Sequence, residues 1–145
     1  MSGDYRDDMN GRSETDRAVV QEFRTNRGRV GGGFRGVPLL LLTHTGAKTG
    51  RRHTSPLTYL RDGDRLVIFA SNFGDLNNPA WYHNLRAHPQ ATVEIDGERF
   101  DVVASVAEGI ERDRLFARQL AHAPILAAFQ SKTPRRIPVV VLHRV

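Results

Sequence analysis

Cysteine is missing from this chain, which excludes disulfides and thiolate-held metals. Long apolar runs are missing too. Runs such as Val37-Pro38-Leu39-Leu40-Leu41-Leu42 fall far below the roughly 20 residues that a membrane-spanning helix needs. Met1 to Asp8 is polar and acidic, so no secretory signal is visible and a cytoplasmic protein is expected. Aromatic residues are few, at 8%, and several gather around one loop and one short helix. That placement argues against a nucleic-acid-binding barrel, whose stacking rings would be spread along exposed strands. Acidic residues are outnumbered, 16 against 21 lysines and arginines, for a net charge of +5. Such an excess fits nucleic acid, an anionic membrane surface, an anionic small molecule or a merely solvated surface, and charge alone does not choose.

Familiar site signatures are also absent. Gly31-x-Gly33-x-x-Gly36 matches the dinucleotide-binding pattern by letter, but it precedes a strand instead of linking a strand to a helix. Lys48 comes before Gly50, and the glycine spacing is one residue short of a phosphate-binding Walker loop. Six histidines are scattered without ligand spacing, so no metal site is expected. No Ser–His–Asp set stands out.

What is present is organised as one domain over residues 13–145, after a disordered start over residues 1–12. Ser13 through Arg27 reads as a helix opened by Ser13 and Asp16 in a capping-box pattern and closed by Gly28. Its stripe of Ala18, Val19, Val20 and Phe23 either covers the domain or lies on a membrane surface, and the first is expected. Gly31, Gly32, Gly33 and Gly36 follow as a flexible lead-in.

Strands then dominate. Val37–Thr43 reads as buried; Thr54–Leu60 and Arg65–Ser71 flank the turn dipeptide Asp62-Gly63; Ala91–Ile95 and Glu98–Val106 flank Asp96-Gly97. Asn78 as N-cap with Pro79 at the first helical position starts a short helix through Trp81, Tyr82 and Leu85, which stops before His88-Pro89. Glu108–His122 is a further helix, extended by another after Pro124, and Ile137–His143 closes the chain as a strand. About six strands, two tight hairpins and peripheral helices predict a mainly β (α+β) split or closed barrel rather than a βαβ sheet.

The densest chemistry lies in His44-Thr45-Gly46-Ala47-Lys48-Thr49-Gly50-Arg51-Arg52-His53. Gly46 and Gly50 permit a tight turn that presents N–H groups, and Lys48, Arg51 and Arg52 neutralise an anion. A phosphate-bearing or polycarboxylate cofactor suits such a loop. Phe69, Phe73, Trp81 and Tyr82 surround a second loop, Ala70-Ser71-Asn72-Phe73-Gly74. Core packing accounts for any one ring. Together with Gly74 for close approach and Ser71 and Asn72 for polar contacts, they would also suit a planar ring system.

Taken together, Leu41-Leu42-Thr43-x-Thr45-Gly46-x-Lys48-Thr49-Gly50, Pro56-Leu57, Asp62-Gly63-Asp64, Ala70-Ser71-Asn72-x-Gly74 and Asn78-Pro79-x-Trp81-Tyr82-x-Asn84-Leu85 resemble the deazaflavin-dependent nitroreductase family. The likeness runs from about Phe23 to Pro138. It implies a split β-barrel like that of FMN-binding oxidoreductases, with coenzyme F420, an 8-hydroxy-5-deazaflavin with a phospholactyl-oligoglutamate tail, as cofactor. By the resemblance, Lys48, Thr49, Gly50 and Arg51 hold the phosphate and the start of the tail, and Pro56 and Leu57 line its path. Ala70, Ser71, Asn72 and Gly74 edge the ring, with Trp81 and Asn84 in the adjoining helix.

The implied activity is hydride transfer from the reduced coenzyme to a small-molecule acceptor, a quinone or nitro compound, with Ser71 and then Tyr82 as candidate proton donors. FMN is the alternative cofactor, its single phosphate needing fewer cations. Two departures stand out. Many members carry arginine where this chain has Ala47. The member that activates nitroimidazole prodrugs has several tyrosines where this chain has Ala123-Pro124-Ile125-Leu126-Ala127-Ala128-Phe129, so nitroimidazole reduction is not carried over.

Overall fold

A computed structural model describes residues 16–26, 28 and 38–145. The proposed cap at Ser13, the disordered start and the glycine lead-in lie outside them. Seven strands form one antiparallel sheet: β1 (Leu39–Thr45), β2 (Arg52–Thr58), β3 (Leu60–Asp62), β4 (Arg65–Phe69), β5 (Gln90–Ile95), β6 (Glu98–Val106) and β7 (Val139–Arg144). Their order is β2-β1-β5-β6-β7-β4-β3. The sheet curls until β2, at one edge, touches β4 near the other. Such a sheet is a split barrel, as predicted. Seven strands replace the predicted six or so because the expected Thr54–Leu60 strand is broken at Tyr59: β2 stays on one edge while β3 begins the other.

Alternation builds the interior. Leu40 and Leu42 of β1, Ile68 of β4, Val93 of β5, Val102 of β6 and Leu142 of β7 point inward and are almost fully buried. Each such side chain contributes about 1.5–3 kcal/mol relative to exposure. The intervening residues build two outer layers. Helix α1 (residues 16–25) lays Val19, Val20 and Phe23 on Leu39 and Leu41. Three of the four residues of its stripe are spent on the sheet, the first of the two readings, while Ala18 is exposed. Gly28, at φ +92°, ends its last turn by donating its N–H to the Phe23 carbonyl. On the other flank, α3 (Gly109–His122) and α4 (Ile125–Lys132) pack Leu115, Phe116 and Leu126 onto Val67, Val139 and Val141. No helix among the described residues is long and apolar enough to cross a membrane.

The hairpins follow their turn residues. Ile95 pairs with Glu98 across Asp96 and Gly97, both at positive φ (51° and 77°), the geometry of a type I′ turn. In the first hairpin Asp62 pairs with Arg65, so the loop is Gly63-Asp64, one residue later than the sequence suggests. Asp62 has a different task. Arg65, Arg114 and Arg118 all donate to its carboxylate, fastening the hairpin to α3. The hydrogen bond from Arg114, then that from Arg65, holds the Asp62 carboxyl at about 2. Since an unfolded aspartate titrates near ~3.9, the stabilisation is complete above about pH 4 and lost as pH falls towards 2. Asp62→Asn is expected to flatten the acid limb of a melting-temperature profile in that window. An acid limb as steep as the parent's would show that the cluster does not contribute.

Helix α2 (Ala80–Ala87) plugs the barrel beside β1, burying Trp81, Tyr82 and Leu85 in the interior cluster. It stops before His88-Pro89 as predicted. Its start differs: Pro79 is the extended residue ahead of the first turn, and Asn78 does not cap. The Asn78 side-chain oxygen accepts instead from Arg135.

Candidate functional site

Pairing of Thr45 with Arg52 and His44 with His53 extends β1 and β2 further than the sequence suggests. The cationic segment shrinks to a six-residue hairpin loop, Gly46 to Arg51. Gly46 donates to the Arg51 carbonyl (2.7 Å) and Gly50 to the Gly46 carbonyl (2.9 Å). A Cβ on Gly46 would lie 2.7 Å from the Thr49 hydroxyl oxygen, so any larger residue there would displace the Thr49 side chain. Gly50 stands at φ +71° with open space around it.

Three residues emerge as potential anion donors: Lys48, Thr49 and Arg51. Among the described residues, the backbone N–H groups of Lys48 and Thr49 find no protein acceptor, and the exposed side chains of Lys48 and Arg51 find no carboxylate. Thr49 turns its oxygen inward to accept from the Arg51 N–H (3.2 Å), leaving its own hydroxyl proton to donate. Arg52 does not join them. Its guanidinium crosses β1 to Thr92 (3.3 Å), and Thr92 donates on to Asp101. Of the three cations, two remain at the loop.

Strand geometry separates Pro56 from Leu57. Adjacent strand residues face opposite ways, and Leu57 packs against the interior cluster, so Pro56 faces outward on the edge strand, where proline costs no ladder bond. The two side chains therefore lie on opposite faces of β2. Asn84 is engaged by the protein: its oxygen accepts from the Ala47 N–H and its amide nitrogen meets His44.

The second loop is built by a residue that the sequence reading missed. Arg135, between α4 and β7, donates to the carbonyls of Ala70 (3.0 Å), Ser71 (2.7 Å) and Asp75 (2.9 Å) and to the Asn78 side chain (2.7 Å). Burial lowers its pKa from the ordinary arginine value, a sign of how far the guanidinium is drawn from water. Lys132 adds a bond to the Phe73 carbonyl. Under this clamp the backbone runs left-handed through Asn72 (φ 46°), Phe73 (57°) and Gly74 (77°), strain of the kind that functional loops store. No signal in the sequence distinguishes Arg135 from its exposed neighbour Arg136.

Most of the proposed ring-edge side chains serve the protein itself. Ala70 and Trp81 belong to the interior cluster, and Asn72 is buried and donates to the Asn77 carbonyl. A Cβ on Gly74 would lie 2.6 Å from the Phe129 carbonyl oxygen and 2.9 Å from the Lys132 Cβ, so the glycine seats this loop directly against α4. Half-buried Ser71 and Phe73, which is 58% exposed and set edge-on to the Phe129 ring, are what the loop presents. Tyr82 instead borders a cavity of about 200 Å³ between α2 and β6, beside Arg86 and Val106.

These features agree with what the chain resembles. Residues 15–144 match the model of the family described as F420H(2)-dependent quinone reductase. An F420H(2)-dependent quinone reductase of Mycobacterium tuberculosis strain H37Rv is 42% identical over 126 residues, 84% of this chain and 85% of that protein. A solved F420-H2 dependent reductase superposes with a TM-score of 0.68 at 34% identity, covering 73% of this chain and 94% of that one. Another solved chain, with the same score and identity over 73% of this chain and 80% of its own, is described as a domain-swapped dimer. HutZ of Vibrio cholerae, a heme storage protein, shares the fold alone, at 17% identity, 87% coverage of each chain and a TM-score of 0.59. A cationic β1–β2 hairpin loop on a split barrel, in a chain matched almost end to end, makes this protein a member of the F420H(2)-dependent quinone reductase family.

Proposed function

We propose that this protein transfers a hydride from reduced coenzyme F420 to a quinone. The observation that carries the reading is the Gly46–Arg51 loop, whose N–H groups at Lys48 and Thr49 and whose cations at Lys48 and Arg51 lack protein partners among the described residues. Charge and donors fit a phosphate followed by carboxylates. When bound, the deazaflavin supplies the hydride. The protein's own contribution is to hold the tail at Lys48, Thr49 and Arg51 and to offer a wall at Ser71 and Phe73 for the flat ring and the acceptor. The Ser71 hydroxyl is the first candidate to give a proton to the reduced acceptor. Tyr82, facing the β6 side, is the second.

Helix α4 leaves exposed Ile125 and part of Phe129, with Leu126 spent on the sheet, and carries no phenol, so an acceptor on that side would meet apolar contact and few donors. An apolar wall discriminates weakly, by about 1–3 kcal/mol per methylene, which favours simple quinones over nitroimidazoles that need orienting hydroxyls. The test is a fluorescence titration with the deazaflavin coenzyme and with FMN, followed by steady-state kinetics with menadione and a bicyclic nitroimidazole. We expect the deazaflavin coenzyme to bind more tightly than FMN and menadione to give the higher kcat/KM. Lys48→Ala should weaken coenzyme binding by about 1–3 kcal/mol at low salt and by less at high salt. Tighter FMN binding, or an affinity unchanged in both Lys48→Ala and Arg51→Ala, overturns the reading.

A further inference from the structure

We propose that Asn84 and His44 together are the positioning device of the cofactor loop, setting the direction of its backbone from inside the barrel without touching the ligand. This role rests on the functional reading above. His44 is 3% exposed and Asn84 8%, so both are polar side chains placed where leucine would pack at lower cost. Their hydrogen bonds form one chain across three elements. Asn84 of α2 reaches the Ala47 N–H at 2.9 Å and His44 Nδ1 at 3.0 Å, and His44 Nε2 meets the Ser55 hydroxyl of β2 at 3.0 Å.

Donor logic fixes every proton in that chain. A backbone N–H only donates, so the group facing Ala47 is the Asn84 oxygen. The Asn84 NH2 then faces His44, so His44 Nδ1 accepts and is unprotonated. Its proton sits on Nε2 and points at Ser55. A second proton on the ring would set two donors against each other, and burial above all, with His53 and Arg52 nearby, lowers the His44 pKa to about 4. His44 is neutral at physiological pH, and the arrangement has one consistent set of protons.

Its consequence lies at Ala47. With that N–H drawn down to Asn84, the next two N–H groups, at Lys48 and Thr49, are the ones left for an anion. Asn84 stands two and three residues after Tyr82 and Trp81 on the helix that plugs the barrel, so a single side chain ties the loop to the fold's interior. Both side chains are buried and turned to protein partners. They act through the loop.

The experiment is a double-mutant cycle read as the dissociation constant of the oxidised coenzyme, together with amide hydrogen exchange of the coenzyme-free protein. Asn84→Ala should weaken binding about tenfold, and exchange at Ala47 should accelerate while exchange in β5 and β6 stays as in the parent. In the Asn84→Ala background, Lys48→Ala should cost much less than in the parent, because a misdirected loop no longer presents Lys48. His44→Gln, which keeps an acceptor for Asn84 and a donor for Ser55, should retain most of the affinity. His44→Leu, which has neither, should reproduce the loss. Should His44→Leu not fold, the Asn84/Lys48 cycle still decides. Additive losses in that cycle, or Ala47 exchange unchanged by Asn84→Ala, overturn the positioning role alone. A parent protein that does not bind the coenzyme overturns the functional reading, and this role with it.

Discussion

Arg135→Met is expected to lower unfolding stability by about 2–4 kcal/mol, the range for losing several charge-assisted hydrogen bonds to groups left partly dry. Four acceptors converge on this guanidinium, and three are backbone carbonyls of a loop without strand partners of its own. Methionine retains the apolar stem and removes every donor, so the loss reports the clamp rather than the packing. Arg135→Lys should recover only part of it, since an ammonium cannot span Ala70, Ser71, Asp75 and Asn78 as a planar fork does. Urea unfolding followed by circular dichroism gives the midpoint, and an unchanged m-value keeps the comparison valid. If Arg135→Met shifts stability by less than about 0.5 kcal/mol, the range of ordinary surface changes, Arg135 is a surface arginine whose bonds are replaced by water.

A second large effect is expected at Gly74, where backbone and packing can be separated. Gly74 and Gly97 share φ +77°, but their surroundings differ. Beside Gly97 there is open space, so Gly97→Ala pays only for a left-handed alanine, about 1–2 kcal/mol. At Gly74 the added methyl meets the Phe129 carbonyl oxygen at 2.6 Å and the Phe129 Cα at 3.0 Å, backbone atoms that cannot turn aside. Overpacking adds about 1–3 kcal/mol, so Gly74→Ala should cost about 2–5 kcal/mol in all. The same urea titration on both variants measures the difference. Equal losses would mean that α4 swings away freely, and the close seating of loop on helix would count for little.

Local patterns carried much of the fold. Asp96-Gly97 gave the β5–β6 turn because two consecutive positive φ values suit few other dipeptides. His88-Pro89 stopped α2, since the residue before proline avoids helical backbone. Alternation through Ala91, Val93 and Ile95 and on through Phe100, Val102 and Ala104 marks the barrel interior, but Val106, on the same period, is exposed at the strand end. At the site, the composition of the Gly46–Arg51 loop was readable, whereas the identities of its working cations were not. Arg51 and Arg52 are neighbours of the same type, and only the register of β2 on β1 sends Arg52 to Thr92. The expected cap at Asn78 failed for the same kind of reason: a guanidinium 57 residues away competes for its oxygen.

By itself, then, the sequence determined a hairpin-built barrel, a cationic loop at the end of a buried strand, and the family resemblance that both support. These depend on turn residues, on period-two alternation and on short motifs, all of which act between near neighbours along the chain. Only the tertiary structure decided which polar groups serve a ligand and which serve the protein. Ala47 and Asn84 are 37 residues apart, Ser71 and Arg135 are 64 apart, and Gly74 meets Phe129 from another element. A side chain's role is set by the partner that satisfies it first, and partners so distant in sequence become neighbours only when the sheet curls and the helices dock on its faces.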